Sequence, residues 1–540
     1  MATQTLQDLP LHHVEDIRTL IERAARCWGE KVALTFDEFN ESITFSEVNE
    51  KTNQIAHVLL KNGIQTGERV AIMLKNRPEF ALTWLALAKI GAVMVPVNVF
   101  YKEFDAKYII EHSEAKAIVT SGEFLPLIRT IQHEVSTLET VFCVDPIEGP
   151  DVTGVFDFSA LVASAPNSPP EGKVFAENLL NIQYTSGTTG RPKGCMLTHG
   201  YWLSIAKKNV EEPPHLNDGD VMLTAQPFYY MDPQWNVISA LASGAQLVVL
   251  DRFHPSTFWE KVRKYNVTFF YCLGVMPTLM LKMPPSPEDR KNRVRHISCS
   301  AIPPHLHKEL EERWGAPWYE VFGMTETGGD ISVKPEDHDK LVGTGCIGKP
   351  NKSREARIVD EQDRPVPRGQ VGELVLRGPW MMDGYFKNPE ATQEAFRGGW
   401  FHTGDLAWMD ENGYIYYVGR KKEMIRRSGE NISASEVEEV IKLHPGVQYV
   451  ACVPVPDDVR GEEVKAYVVL RPGETKETVP PEELVEFCSK KLAYFKVPRY
   501  WEYRDDLPRT PSERVAKHVL IKEKSDLRLD SYDRVEGIWR

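Results

Sequence analysis

Between about residue 40 and residue 330, short β-branched runs alternate with stretches of helical periodicity. RVAIML, AVMVPVN, KAIVTS, TVFCVD, QLVVLD, VTFFYCL and HISCSA each adjoin an amphipathic segment such as FSEVNEKTNQIAHVLLKNG. A strand with apolar residues on both faces needs cover on both sides, so this alternation implies parallel sheets with helices packed over them. GELVLRGP and GYIYYVGR are different: turn residues flank them, which suggests an antiparallel or barrel-like region from about 345 to 418. After GRKKEMIRRSGENIS the order becomes helix (SASEVEEVIKLH), strand (VQYVACVPV), strand (VKAYVVLRP) and helix (PEELVEFCSKKL), a compact α+β unit. The expected fold is therefore α/β: a large N-terminal domain over 1–420, with helix-covered sheets and a small β-barrel-like region, followed by a small α+β domain over 421–540.

Composition narrows the class. A chain of 540 residues, 42% of them hydrophobic, is large enough for more than one core. Its net charge is -13, with no long like-charged block, which argues against nucleic acid or an anionic membrane surface as partner. The most hydrophobic segment, FALTWLALAKIGAVMVPVNVF, is interrupted by Lys89, Gly91 and Pro96 and changes from helix-like to β-branched. It reads as a buried helix followed by a buried strand, and no integral membrane segment is expected. The N-terminus lacks the basic start and apolar stretch of a signal peptide. The 8 cysteines have no CxxC spacing, which argues against a zinc site or a disulfide framework and for a reducing, cytoplasmic location.

The segment YTSGTTGRPKG (184–194) raises the question of chemistry. Small residues let backbone amides approach an anion, hydroxyls add donors, and Lys193 supplies a point charge, so the strip has the makings of a phosphate cradle. It is not a Walker A loop, because Gly190 is followed by Arg191 and Pro192 before Lys193.

The strip resembles the [ST]SG[ST]TGxPKG signature of the adenylate-forming (AMP-binding) enzymes. Further signatures of that superfamily follow in order: FGMTE (322–326), GELVLRGPWMMDGYFKNPEAT (372–392), WFHTGDLAWMDENGYIYYVGRKKEMI (400–425) and SGENISASEVE (428–438). The wording is closest to the acyl-CoA synthetase branch, and within it to bacterial carnitine/crotonobetaine-CoA ligase-like proteins. The resemblance implies that a small carboxylic acid attacks the α-phosphorus of ATP, pyrophosphate leaves, and coenzyme A takes the acyl group from the adenylate. Transfer to an amine or a carrier protein is the alternative, as is a nucleotide-binding protein with impaired adenylation.

Carried onto this sequence, the resemblance implies that Thr185, Ser186, Gly187, Thr188, Thr189, Gly190 and Lys193 cover the β- and γ-phosphates. Thr325 then bonds the α-phosphate and Glu326 helps hold Mg²⁺. Ser300, Ala301 and Ile302 lie along the adenine where many relatives read GGAPL, and Glu320, Val321, Phe322, Gly323 and Met324 complete that segment, Phe322 standing where tyrosine is frequent. Asp405 and Arg420 take the ribose. Lys422 is the position at which relatives swivel the mobile C-terminal domain, bringing Gly429 and Glu430 of the SGEN turn to the site for the second step. The family's C-terminal lysine, from PRTxxGK[IV], aligns with Arg514 of LPRTPSERVAK; Lys517 is the alternative cation. Tyr230 matches the gate beside the acyl pocket and thiol tunnel. Trp235, with Tyr229, is expected either to line that pocket or to pack in the core, and an aromatic lining would suit a trimethylammonium group.

Overall fold

The computed structural model describes residues 10–147, 154–185, 191–273, 275–420, 424–508, 515 and 517–540. They form two compact units, one of Met1–Val99, Ile109–Tyr184 and Gly194–Gly419, the other of Phe100–Tyr108, Thr185–Lys193 and Arg420–Arg540.

All seven β-branched runs are strands. In the first unit Val32–Phe36, Gln246–Val249, Val221–Thr224, Phe269–Leu273, His296–Ser300 and Trp318–Met324 lie side by side in that order, every neighbouring pair parallel. The carboxyl ends of four of them, Thr224, Leu273, Ser300 and Met324, therefore share one edge of the sheet. The antiparallel strands expected near 345–418 are present, and they continue the same hydrogen-bonded path through Gly328–Ser332 and Cys346–Pro350, giving 13 strands among the described residues. A second sheet runs Val155–Asp157, Thr140–Cys143, Ala117–Thr120, Arg69–Met73, Val93–Pro96, Leu179–Thr185 and Lys193–Thr198.

Local sequence accounts for the elements around this frame. Helix Phe45–Lys61 opens on a capping box: Thr44 Oγ1 accepts from the Glu47 amide at 3.2 Å, and the Glu47 carboxylate accepts from the Thr44 amide at 2.7 Å. Such a cap contributes about 1 kcal/mol. Helix Pro78–Ile90 is buried at every position except Glu79, Lys89 included. Burial pushes the Lys89 pKa down to about 7, and its Nζ donates to the Asn49 carbonyl (3.1 Å), Asn49 Oδ1 (2.6 Å) and Asn53 Oδ1 (2.5 Å). Two asparagines on the neighbouring helix thus make a lysine tolerable in the core. Among the described residues no helix is long and apolar enough to cross a membrane.

Helix Pro304–Trp314 is tied to the start of strand Trp318–Met324. Glu311 Oε1 accepts from the Trp318 amide at 2.8 Å and pairs with His338 Nε2 at 2.7 Å, while His307 Nε2 donates to the Trp318 carbonyl at 2.8 Å. Burial acts to raise the Glu311 pKa, but the hydrogen bonds from His307 and His338 prevail and hold it at about 2. The anchor sets the register of the loop before the helix, residues 301–303, against that strand.

The second unit is the expected helix–strand–strand–helix pattern: Ala434–Lys442, Val447–Asp457, Gly461–Leu470 and Pro481–Ser489, the two strands pairing antiparallel over their length. Its interior carries charge: Arg427 pairs with Glu463, and Lys465 with Glu502. Each pair is hydrogen-bonded as well as opposite in charge, the condition under which buried ions are tolerated.

Candidate active site

In open α/β sheets, ligands bind outside the carboxyl ends of the strands. At the ends of His296–Ser300 and Trp318–Met324, the buried Glu320 presents both carboxylate oxygens to the loop beyond Ser300. One accepts from the Ala301 amide at 2.6 Å, the other from the Ile302 amide at 2.8 Å. Ala301 has φ of 64°, a conformation that disfavours a side chain, and this fork holds it there. The two amides favour the ionised form of Glu320; burial opposes it more strongly and pushes the pKa up to about 8. Ser300 Oγ donates to the Val321 carbonyl at 2.9 Å, so Ser300, Ala301, Ile302, Glu320 and Val321 form one wall.

The FGMTE segment runs into a hairpin with Gly328–Ser332. Gly323 is required there by contact, since a Cβ at that position would stand 2.2 Å from the Gly328 carbonyl oxygen. Phe322, Met324 and Thr325 are half-buried, and Gly323 is exposed. Tyr201 donates to the Thr325 carbonyl at 2.9 Å, and Tyr385 donates to Glu326 Oε1 at 3.0 Å. The turn after Glu326 is clamped by Arg354, which donates to Asp330 Oδ1 (2.8 Å), the Thr327 carbonyl (2.6 Å) and the Pro379 carbonyl (2.8 Å). Asp405 is buried on strand Phe401–Met409, its Oδ1 accepting from Tyr417 at 3.4 Å, and Arg420 ends the neighbouring strand Ile415–Arg420.

Thr185 and Lys193 bracket the small-residue strip, and Thr185 Oγ1 donates to the Lys193 carbonyl at 3.5 Å. Ser186, Gly187, Thr188, Thr189 and Gly190 lie outside the described residues, as do Lys422 and Arg514.

The segment carrying Tyr230 and Trp235 is held by a buried amide chain. Gln234 donates to the Phe228 carbonyl at 2.9 Å and accepts from Asn181 Nδ2 at 2.9 Å, while Gln183 donates to the Tyr229 carbonyl at 2.8 Å. Tyr230 stands at the N-cap position of helix Met231–Ser243 without a side-chain capping bond, and its hydroxyl accepts from Asn98 at 3.3 Å. Trp235 is half-buried and meets Tyr271 edge-on at 5.7 Å, and Tyr271 in turn donates to Ser300 Oγ at 2.9 Å. That last bond joins the Trp235 segment to the wall around Glu320. Of the two expectations for Trp235, the packing is seen: the partly buried ring lies against the main core.

In the second unit, Arg427 stands opposite Glu430 in the backbone register of the hairpin Met424–Arg427/Glu430–Ser433. Ser428 (φ 52°) and Gly429 (φ 86°) fill the two turn positions, and both lie in the left-handed region that a tight hairpin demands. Lys517 pairs with Glu438 at 2.6 Å, so its ammonium is committed to a partner inside this unit.

Motif reading did not single out Tyr271, Tyr385, Arg354 or Asp232, the last of which lies between Tyr230 and Trp235. Tyr385 stands within the GYFKNPEAT stretch and was open to discovery there; Arg354 is marked by no local pattern.

The chain matches the AMP-binding enzyme family over residues 21–386 and the AMP-binding enzyme C-terminal domain over 436–514. It is 36% identical to a crotonobetaine/carnitine–CoA ligase of Citrobacter koseri across 94% of this chain and 99% of that one. Among solved structures it is similar to an o-succinylbenzoate CoA synthetase (MenE) double mutant from Bacillus subtilis bound with a product analogue. There the TM-score is 0.82 at 26% identity, covering 94% of this chain and 98% of the other. ATP-bound MatB from Rhodopseudomonas palustris gives a TM-score of 0.68 at 29% identity, covering 95% and 100%. The chain belongs to the AMP-binding enzyme family and is an ATP-dependent acid–CoA ligase, joining a small carboxylic acid to coenzyme A through an acyl-adenylate.

Proposed function

We propose that both half-reactions use the cleft at the carboxyl ends of His296–Ser300 and Trp318–Met324, and that the acid is a betaine-type acid bearing a trimethylammonium group. The observation that carries the reading is the Tyr271–Ser300 hydrogen bond, which links the acid segment to the adenine wall and so supports one cleft for acid and nucleotide. The relative's name, crotonobetaine/carnitine–CoA ligase, supports the choice of acid.

In this reading Ser300 to Ile302 and Glu320 to Met324 flank the base, and Asp405 and Arg420 take the ribose hydroxyls. Thr185 to Lys193 cover the outer phosphates, Thr325 donates to the α-phosphate, and Tyr230 gates the acid. Two anions must meet, so the protein's task is to orient them and to spread the charge that develops as pyrophosphate leaves. Glu326 fits a hard cation: Tyr385 engages Oε1, leaving Oε2 for a Mg²⁺, which would neutralise phosphate charge. Arg514 supplies the C-terminal cation, since electrostatic stabilisation needs positive charge rather than a proton shuttle. The N-terminal domain spans 1–420 and a mobile domain 421–540; rotation at Lys422 withdraws Arg514 and brings in Gly429 and Glu430 for thioester formation. The use of ATP and coenzyme A supports a cytoplasmic location.

The test is pyrophosphate exchange with a panel of short, medium-chain, aromatic and betaine acids. Exchange with betaine acids supports the reading, and its absence with every acid overturns it.

A further inference from the structure

We infer that Asp232 is the counter-ion for the acid's cationic head group and so determines which acids are taken; the inference rests on the reading that the Tyr230–Trp235 segment lines the acid pocket. Asp232 is the second residue of helix Met231–Ser243, directly after the position that follows Tyr230, and is buried. Its hydrogen-bond donors are neutral: Thr224 Oγ1 to Oδ2 at 2.7 Å and Asn236 Nδ2 to Oδ1 at 3.0 Å. Among the described residues no lysine, arginine or histidine pairs with it. Burial pushes its pKa up to about 7, so without a countercharge the site tends to hold a proton. A neutral amide could keep both contacts, its oxygen accepting from Asn236 and its NH₂ donating to the Thr224 hydroxyl, which can accept as well as donate, and would avoid the cost of burying charge.

The surroundings specify the cation. Trp235, three residues on and therefore on the same helix face, meets the ring of Tyr271, whose hydroxyl pKa is raised chiefly by burial and further by the nearby charge of Asp232. Tyr230 is packed on Tyr229 at 4.8 Å between ring centres. A carboxylate beside aromatic rings is the chemistry that holds a quaternary ammonium. Each Asp232 oxygen already takes one donor, from Thr224 or Asn236, which leaves the carboxylate about two of its four lone-pair sites, fewer than a primary ammonium has N–H groups. A quaternary ammonium needs only charge and aromatic surface, whereas a primary ammonium carries three N–H groups to satisfy. Asp232 therefore favours quaternary over primary ammonium acids as well as over neutral ones.

The experiment uses the full chain with ATP, Mg²⁺ and coenzyme A, and measures kcat and KM for crotonobetaine, for its carbon isostere with tert-butyl in place of trimethylammonium, and for the primary ammonium analogue. The wild type is expected to prefer the quaternary acid by about 30-fold or more in kcat/KM. Asp232→Asn is expected to raise KM for that acid by about tenfold and to leave the neutral isostere within about twofold, its turnover of the isostere serving as the folding control. Equal losses on both acids would mark a structural strut and overturn the inference, as would an unchanged preference. A second measurement needs no variant: tetramethylammonium ion should inhibit the wild type competitively against the quaternary acid, and lack of inhibition overturns the inference. If only neutral acids are activated, the role of Asp232 fails while the ligase cleft stands; if no acid is adenylated, the cleft reading itself fails.

Discussion

Replacing Glu320 by glutamine tests the adenine wall at its most constrained point. In the wild type the carboxylate receives the Ala301 and Ile302 amides at 2.6 and 2.8 Å. Glutamine offers one carbonyl oxygen and turns an NH₂ toward the second amide, so one charge-assisted bond is lost and a donor is stranded, at a cost of about 2–3 kcal/mol. Relief from burying a carboxylate offsets part of this, and the offset depends on pH. With the pKa pushed up to about 8, the wild type is largely a neutral acid at pH 6.5, which glutamine imitates, and largely a carboxylate at pH 9, which it does not. Ala301, held at φ of 64°, is then free to relax by about 1 kcal/mol and to move the wall with it. The KM for ATP in pyrophosphate exchange should rise about tenfold at pH 9 and only about two- to threefold at pH 6.5. Stability gives an independent readout. A carboxyl group raised from 4.5 to about 8 keeps its proton in the folded state after the unfolded chain has released it. Its contribution is thus full below pH 4.5 and is lost as pH rises toward 8, and urea unfolding of Glu320→Gln should show a shallower fall across that window. Equal KM ratios at the two pH values, together with an unchanged stability slope, would refute this reasoning.

Three further perturbations address other parts of the site. Gly323→Ala places a Cβ 2.2 Å from the Gly328 oxygen, and opening the hairpin should cost at least about 2 kcal/mol in thermal or urea unfolding while lowering pyrophosphate exchange. Arg514→Ala should reduce pyrophosphate exchange by about 100-fold while Lys517→Ala, whose side chain already pairs with Glu438, stays within about threefold; the reverse order would move the cationic role to Lys517. Lys422→Pro should preserve adenylate formation and depress thioester formation, measured separately by exchange and by acyl-CoA yield; equal loss of both steps, or of neither, would count against a hinge there.

The runs that read as strands are strands because a short, largely apolar run needs cover on both faces; Phe269–Leu273 is such a run, and His296–Ser300 is buried on both faces although His296, Ser298 and Ser300 share one of them. The chemistry-bearing motifs were legible for a similar reason: a glycine or hydroxyl at fixed spacing reports a backbone need, as at Gly323 and in the Ser428–Gly429 turn. What periodicity cannot report is which side chains meet across a crossover connection. Tyr271 reaches Ser300 over 29 residues, Glu320 reaches Ala301 over 19, and Arg354 reaches Asp330 over 24. No sequence pattern marked Asp232; its burial beside Tyr271 emerges from the packing of helix Met231–Ser243 on the sheet.

The most direct measurement is mass spectrometry of a reaction containing the full chain, ATP, Mg²⁺, coenzyme A and a trimethylammonium acid. An acyl-CoA thioester accompanied by equal amounts of AMP and pyrophosphate is the expected result. Recovery of intact ATP and free acid, with neither adenylate nor thioester formed from any acid supplied, would contradict the assignment of this cleft to acid activation.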